Sequence, residues 1–192
     1  MAKEHQMSIQ EFIEVLLSPL REEKLDPYTV ITGTPIDPYH EVADIGCGPG
    51  YFAIPLAKYL SHGKLYALDG EDEMLDALRT RIQTAKLTNI SVVKSTGIDF
   101  PLPESSLDGL LLAFVIHQNL DRPTFLKAAT DLLKPGAWCC VLEWFRKKTH
   151  YGPPLKQRID PDEMATLARQ VGLNTEHWRN VNGKQYMALL RK

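Results

Sequence analysis

Between Val42 and Phe52 the chain reads VADIGCGPGYF, a short apolar run followed by three glycines at alternate positions and then a helical pattern. A strand that ends at Ile45 and passes through Gly46, Gly48 and Gly50 can turn sharply and bring its backbone close to a ligand, because glycine carries no Cβ. The helix after it presents free N–H groups at its start. Asp69 ends the next strand, LYALD, about 20 residues further on, where an acidic side chain accepts hydrogen bonds from ribose hydroxyls. Together these features predict a nucleoside-containing ligand across the carboxyl ends of the first two strands.

The rest of the chain alternates in the same way. Ser8 and Glu11 have the spacing of a helix capping box, and Phe12, Leu16 and Leu20 follow along one helical face. The stretch LDPYTVITGTPIDPYH holds Pro27, Pro35 and Pro38 and reads as a loop that is mobile or covers a ligand. Strands are expected at Glu41–Ile45, at LYALD, at ISVVK, from Leu107 to Ile116 and at AWCCVLEW. Helices fall between them, one carrying Met74, Leu75, Leu78 and Ile82, another ending at Lys134-Pro135-Gly136. Asp160 and Pro161 start a last helix, and two strands close around Asn182-Gly183 as a hairpin. Such an order means an open, mainly parallel sheet covered on both sides.

Composition narrows the class. The 192 residues are 44% hydrophobic and 24% charged, with a net charge of -2; that suits one globular domain and disfavours a nucleic-acid partner. Three cysteines, two of them adjacent at Cys139 and Cys140, form no disulfide framework, and strand neighbours face opposite ways, so they do not clamp one metal. The amino terminus is polar and lacks the apolar core of a signal peptide, and no run has the ~20 apolar residues of a membrane span. These features predict a cytoplasmic protein, monomeric or homodimeric.

The turn is G-x-G-x-G followed by the bulky Tyr51, not the dinucleotide G-x-G-x-x-G, which argues against NAD and toward a ligand without phosphates. At these residues the chain resembles the class I S-adenosylmethionine-dependent methyltransferases of the small-molecule type. The likeness rests on VADIGCGPGYF, ALDGEDEML, IDFPLPESSLDGLLLAFVIHQ and LLKPG, and is nearest to the menaquinone, sterol and arsenite methyltransferases. It implies a Rossmann-like, doubly wound, seven-stranded, mainly parallel sheet with a carboxyl-terminal antiparallel hairpin and helices on both faces. It also implies one domain over 1–192, in which 1–40 is a helix and lid segment and 41–192 the cofactor-binding core.

Carried over residue by residue, the resemblance implies that the backbone from Asp44 through Gly46 and Cys47 to Gly48, with Gly50 shaping the turn, holds the methionine part of S-adenosylmethionine. Asp69, with Gly70 beside it, would grip the ribose, and Met74 would pack near the adenine. Thr96, Gly97 and Ile98 would border the adenine edge, and Ala113 with Phe114 would line the floor below the sulfonium. The family often has an aspartate where this chain has Thr96; Asp99 is close but out of register.

Methyl transfer needs alignment and exclusion of water more than a metal or a nucleophilic triad. The six histidines have no paired metal spacing, and no G-x-S-x-G occurs. His117, directly after AFVI, is the candidate general base, against a purely structural hydrogen bond. Glu143, Trp144 and Tyr151 are candidates for the acceptor pocket, and Phe114 suits a cation–π contact with a sulfonium. Arg146-Lys147-Lys148 reads as a solvated loop or as a phosphate or RNA contact. The expected function is transfer of a methyl group to a small-molecule acceptor. Alternatives are a non-catalytic cofactor-binding module that supports a partner protein, an RNA or protein methyltransferase, or a nicotinamide-dependent reductase.

Overall fold

Central strands that are apolar on both faces require cover on both sides. In the computed structural model, which describes residues 7–192, seven strands supply one sheet; the polar stretch 1–6 lies outside the described residues. The strands are β1 (Glu41–Ile45), β2 (Lys64–Asp69), β3 (Ile90–Lys94), β4 (Leu107–Ala113), β5 (Leu133–Trp144), β6 (Asn174–Asn180) and β7 (Gln185–Arg191). Their spatial order is β3-β2-β1-β4-β5-β7-β6. β1 to β5 pair in parallel, while β7 is antiparallel to both β5 and β6. This is the doubly wound, Rossmann-like sheet with a carboxyl-terminal hairpin.

Strand alternation assigns the two faces. Ala43, Leu110, Leu112, Cys139 and Val141 face α6 (Arg122–Asp131) and α7 (Pro161–Gln170). Val42, Leu111, Cys140 and Leu142 face α3 (Pro27–Ile31), α4 (Ala53–Tyr59) and α5 (Asp72–Ala85). The adjacent cysteines thus lie in separate apolar layers, both fully buried and free.

Several local expectations are corrected. The helix from Ser8 is broken: α1 (Ile9–Leu16) has the expected Ser8–Glu11 capping box, but a second helix, α2 (Pro19–Lys24), starts afresh. Pro19 has no N–H and pushes Ser18 into extended backbone, so the first helix cannot continue. Phe12 and Leu20 are exposed, and Ile13 is the buried residue of α1. The proline-rich stretch after α2 is no open loop: Asp26 caps α3, Pro27 takes its first position, and Val30 and Ile31 are buried.

The run from Leu107 does not stay extended to Ile116. β4 stops at Ala113, Phe114 takes a positive φ of 62°, and a 3-10 turn, Ile116–Gln118, follows. Lys134-Pro135-Gly136 does not end a helix. It lies within β5, where the register jumps between Leu107↔Leu133 and Gly109↔Trp138, and Lys134 bonds Asp108 at 2.6 Å. Asp160 stands at the start of α7, but its carboxylate accepts from the backbone of Arg146 instead of capping the helix.

Candidate functional site

Strand order reverses beside β1, with β2 on one side and β4 on the other. An open α/β sheet leaves a crevice at the carboxyl ends of strands at such a point. Here a cavity of about 1340 Å³ opens, above the ~300–1,000 Å³ usual for one small ligand. Its floor comes from β1, β2, β4 and β5, and α1 and α2 form the cover.

The glycine turn is built as the sequence implies. Gly46 and Cys47 both donate N–H bonds to the carbonyl of Leu68, which ties the turn to β2. Gly48 donates to Asp69 Oδ2 at 2.7 Å, and Glu71 donates to Asp69 Oδ1 at 3.0 Å. Gly48 has a φ of 53°, and a Cβ built there would point into the cavity, 3.8 Å from Leu16 and 4.0 Å from Met74. Gly50 acts on the packing side instead. A Cβ there would lie 2.4 Å from Leu78, so its bareness lets the turn pack on α5.

Asp44 is the electrostatic anomaly of the site. Its carboxylate is buried, and Oδ2 has no hydrogen-bond partner among the described residues. Burial pushes its pKa up to about 8; the nearby charge of Asp69 adds to the rise and Arg21 opposes it. Burial likewise pushes the Cys47 thiol well up, so it is a poor nucleophile. Arg21, from α2, lays its guanidinium 4.1 Å from the centre of the Tyr51 ring and 5.9 Å from that of Phe114. It also donates to the carbonyl of Leu16 at 2.9 Å, which joins α2 to the end of α1.

Most of the residues named from the sequence meet at this cavity: Asp44, Gly46, Cys47, Gly48, Asp69, Gly70, Met74, Gly97, Ala113, Phe114 and His117 line it. Three do not reach its wall. Gly50 packs beneath the turn, Thr96 bridges Asp99 through backbone hydrogen bonds, and Ile98 is 51% exposed. Ser95, bonded through its N–H to the Asp69 carbonyl, lines the cavity next to Thr96. Arg21, Ser95, Phe100 and Gln185 line the cavity without having been expected from the sequence. No spacing rule marks them, since long-range folding brings each one in.

Beyond Phe114 the wall is aromatic. Phe114 and Trp144 have ring centres 5.7 Å apart, and Trp144 meets Tyr151 edge-on at 5.5 Å. The loop that carries Tyr151 is held by buried Arg158, which donates to the carbonyls of Lys147, Pro153 and Tyr151. Arg146 is tied to the Arg158 carbonyl and to Glu163, so of the basic triplet this residue is engaged within the fold. His117 lies in the 3-10 turn, with Nδ1 2.8 Å from Glu143 Oε2. Among the described residues no cluster of three or more His, Cys, Asp or Glu is placed to hold a metal. No helix among them is long and apolar enough to cross a membrane.

Known proteins carry the same design. Residues 42–136 match the family model described as a methyltransferase domain. Over 122 residues the chain is 31% identical to a 2-phytyl-1,4-naphtoquinone methyltransferase of Synechococcus elongatus, covering 62% of this chain and 51% of that protein. Over 101 residues it is 29% identical to a demethylmenaquinone methyltransferase of Geobacillus kaustophilus, covering 52% and 43%. The chain thus spans about half the length of the curated relatives it matches. The crystal structure of an S-adenosylmethionine-dependent methyltransferase from Aquifex aeolicus superposes with a TM-score of 0.88 at 24% identity, over 97% of this chain and 99% of that one. With the sheet order, the glycine turn and the acidic end of β2 in place, residues 42–136 carry a methyltransferase domain on the fold of the S-adenosylmethionine-dependent methyltransferases.

Proposed function

We propose that this protein transfers the methyl group of S-adenosylmethionine to a small aromatic acceptor of the quinone type, in the cytoplasm. The observation that carries the proposal is the buried, unpartnered Asp44 Oδ2 beside a glycine cradle closed by Asp69. A ligand with an ammonium group and a ribose answers both features. When bound, S-adenosylmethionine supplies a methyl carbon activated by positively charged sulfur.

The chain's own residues do the rest. Asp44 accepts from the ammonium, and the bare Gly48 leaves room for the methionine part. Asp69 spends one lone pair of each oxygen on the turn and keeps the others for the ribose hydroxyls. Met74, Ser95, Gly97 and Phe100 border the base. Phe114, Trp144 and Tyr151 offer flat surfaces to an aromatic acceptor, and the cavity has volume for a second molecule. Within the amino-terminal segment α1 and α2 serve as the lid that keeps water out, while α3 packs on the cofactor-binding core of residues 41–192.

Calorimetric titration with S-adenosylmethionine, S-adenosylhomocysteine and NADH tests this reading, with Asp69→Ala as the control. Both sulfur nucleosides should bind and NADH should not. Losing a charge-assisted hydrogen bond should weaken binding by about 1.5–3 kcal/mol, roughly ten- to a hundredfold. Failure of both sulfur nucleosides to bind would overturn the proposal.

A further inference from the structure

Glu143 is fully buried at the end of β5, and every contact of its carboxylate is with an N–H donor or with His117. Oε1 accepts from the His117 backbone at 3.1 Å, and Oε2 accepts from the Trp144 backbone at 3.3 Å. His117 Nδ1 lies 3.1 Å from Oε1 and 2.8 Å from Oε2. With both oxygens of Glu143 accepting from backbone N–H groups, Nδ1 is placed as the donor of the pair, and a ring that donates from Nδ1 alone keeps its lone pair on Nε2. The 3-10 turn that holds the ring is also a partition. His117, Gln118 and Asn119 line the main cavity on one side. On the other they line a second cavity of about 410 Å³, together with Arg122, Lys156 and Gln157.

We infer that His117, oriented by Glu143, takes the hydroxyl proton of the methyl acceptor at Nε2 and releases it through the second cavity, so that the acceptor is a hydroxyl-bearing aromatic. The inference rests on the proposed methyltransferase reading. In the step, the O–H bond of the acceptor breaks and its proton goes to Nε2. The electron pair left on the phenolate forms the bond to the methyl carbon, and the pair of the breaking C–S bond stays on sulfur. If the methyl lands on the ring carbon conjugated to that oxygen, the displaced ring proton returns to the oxygen. The imidazolium is stabilised by Glu143, which is therefore a positioning residue. The charged and titratable groups around the pair include Arg122 of α6, Lys156 in the second cavity, and Tyr186 of β7, whose pKa is raised first by burial and then by the charges of Glu143, Asp160 and Glu163.

The test begins with calorimetry of wild type, His117→Gln and Glu143→Gln with S-adenosylhomocysteine; absence of binding to wild type is failure of the underlying reading alone. Long-range 1H–15N spectra of the S-adenosylhomocysteine complex then report on the His117 ring before and after addition of 1,4-dihydroxynaphthalene, kept reduced. The expected result is an Nδ1–H ring whose Nε2 resonance moves when the probe is added. An Nε2–H tautomer, or an Nε2 resonance that the probe leaves unmoved, overturns the inference. In single-turnover methylation of the same probe, both variants should lose about a hundredfold or more near pH 7. The deficit should shrink toward pH 10, where a phenol ionises unaided. A deficit of the same size at every pH would mark a structural staple and overturn the inference.

Discussion

Asp44 is almost fully buried at the wall of the cavity, and its chemistry follows from that. With the folded pKa at about 8 against an ordinary 3.8, the folded protein holds a proton that the unfolded chain has already lost across that window. The stability linked to this proton is present below about pH 4 and is lost as pH rises through 8. Asp44→Asn removes the dependence. The variant should match wild type near pH 4 and exceed it at pH 9 by at least about 1 kcal/mol, or ~2–4 °C in Tm, by scanning calorimetry. A cation bound at Oδ2 stabilises the carboxylate, so binding of S-adenosylmethionine near pH 7 should release a proton. Titrations in two buffers of different ionisation enthalpy read that release directly, and its absence would remove Asp44 as the ammonium partner.

The cover of the cavity is made of two short helices that could not stand alone. α1 buries Ile13 and leaves Phe12 and Val15 on the cavity side, partly open, because the surface they face is a mouth and not a core. Arg21 ties α2 down, stacked on Tyr51 and bonded back to Leu16, beside the bonds that Tyr51 and Asn182 donate to the carbonyls of Leu25 and Lys24. A desolvated cation–π contact contributes roughly 1–2 kcal/mol, so Arg21→Ala should speed amide exchange in α1 and α2 about tenfold. The global Tm should stay nearly unchanged, because the seven-stranded core does not lean on this helix. Exchange at the wild-type rate would show that other contacts set the position of the lid. The helical pattern of α1 and its capping box are legible in the sequence because they are local. The purpose of the stripe is not, since an apolar face reads the same whether it meets a core or a cavity.

At the scale of the whole molecule, the site depends on close strand packing far from the ligand. Gly109 of β4 lies against the ring of Trp138 in β5, and a Cβ there would sit 2.1 Å from the indole. Trp138 is buried on the face that also carries Leu111 and Leu142. Gly109→Ala must displace it, and overpacking of this kind costs about 1–3 kcal/mol. The unfolding free energy should fall by that amount, read as a lower denaturation midpoint at an unchanged slope. An unshifted midpoint would mean that β5 can slide at its bulge between Leu133 and Trp138 without loss.

The amino-acid sequence by itself determined the strand–turn–helix at Val42–Phe52, the acidic end of β2, the alternation that places Cys139 and Cys140 in opposite layers, and the closing hairpin. Each rests on contacts a few residues apart or on a simple period, which the chain carries openly. Only the tertiary structure decided that Ser95 and not Thr96 meets the cavity, that Arg21 enters it from the lid, and that Glu143 orients His117. These pairings join residues far apart in the chain. Which side chains meet across such distances is set by strand order, by the end of β4 at Phe114 and by the break at Pro19, and no local pattern records them.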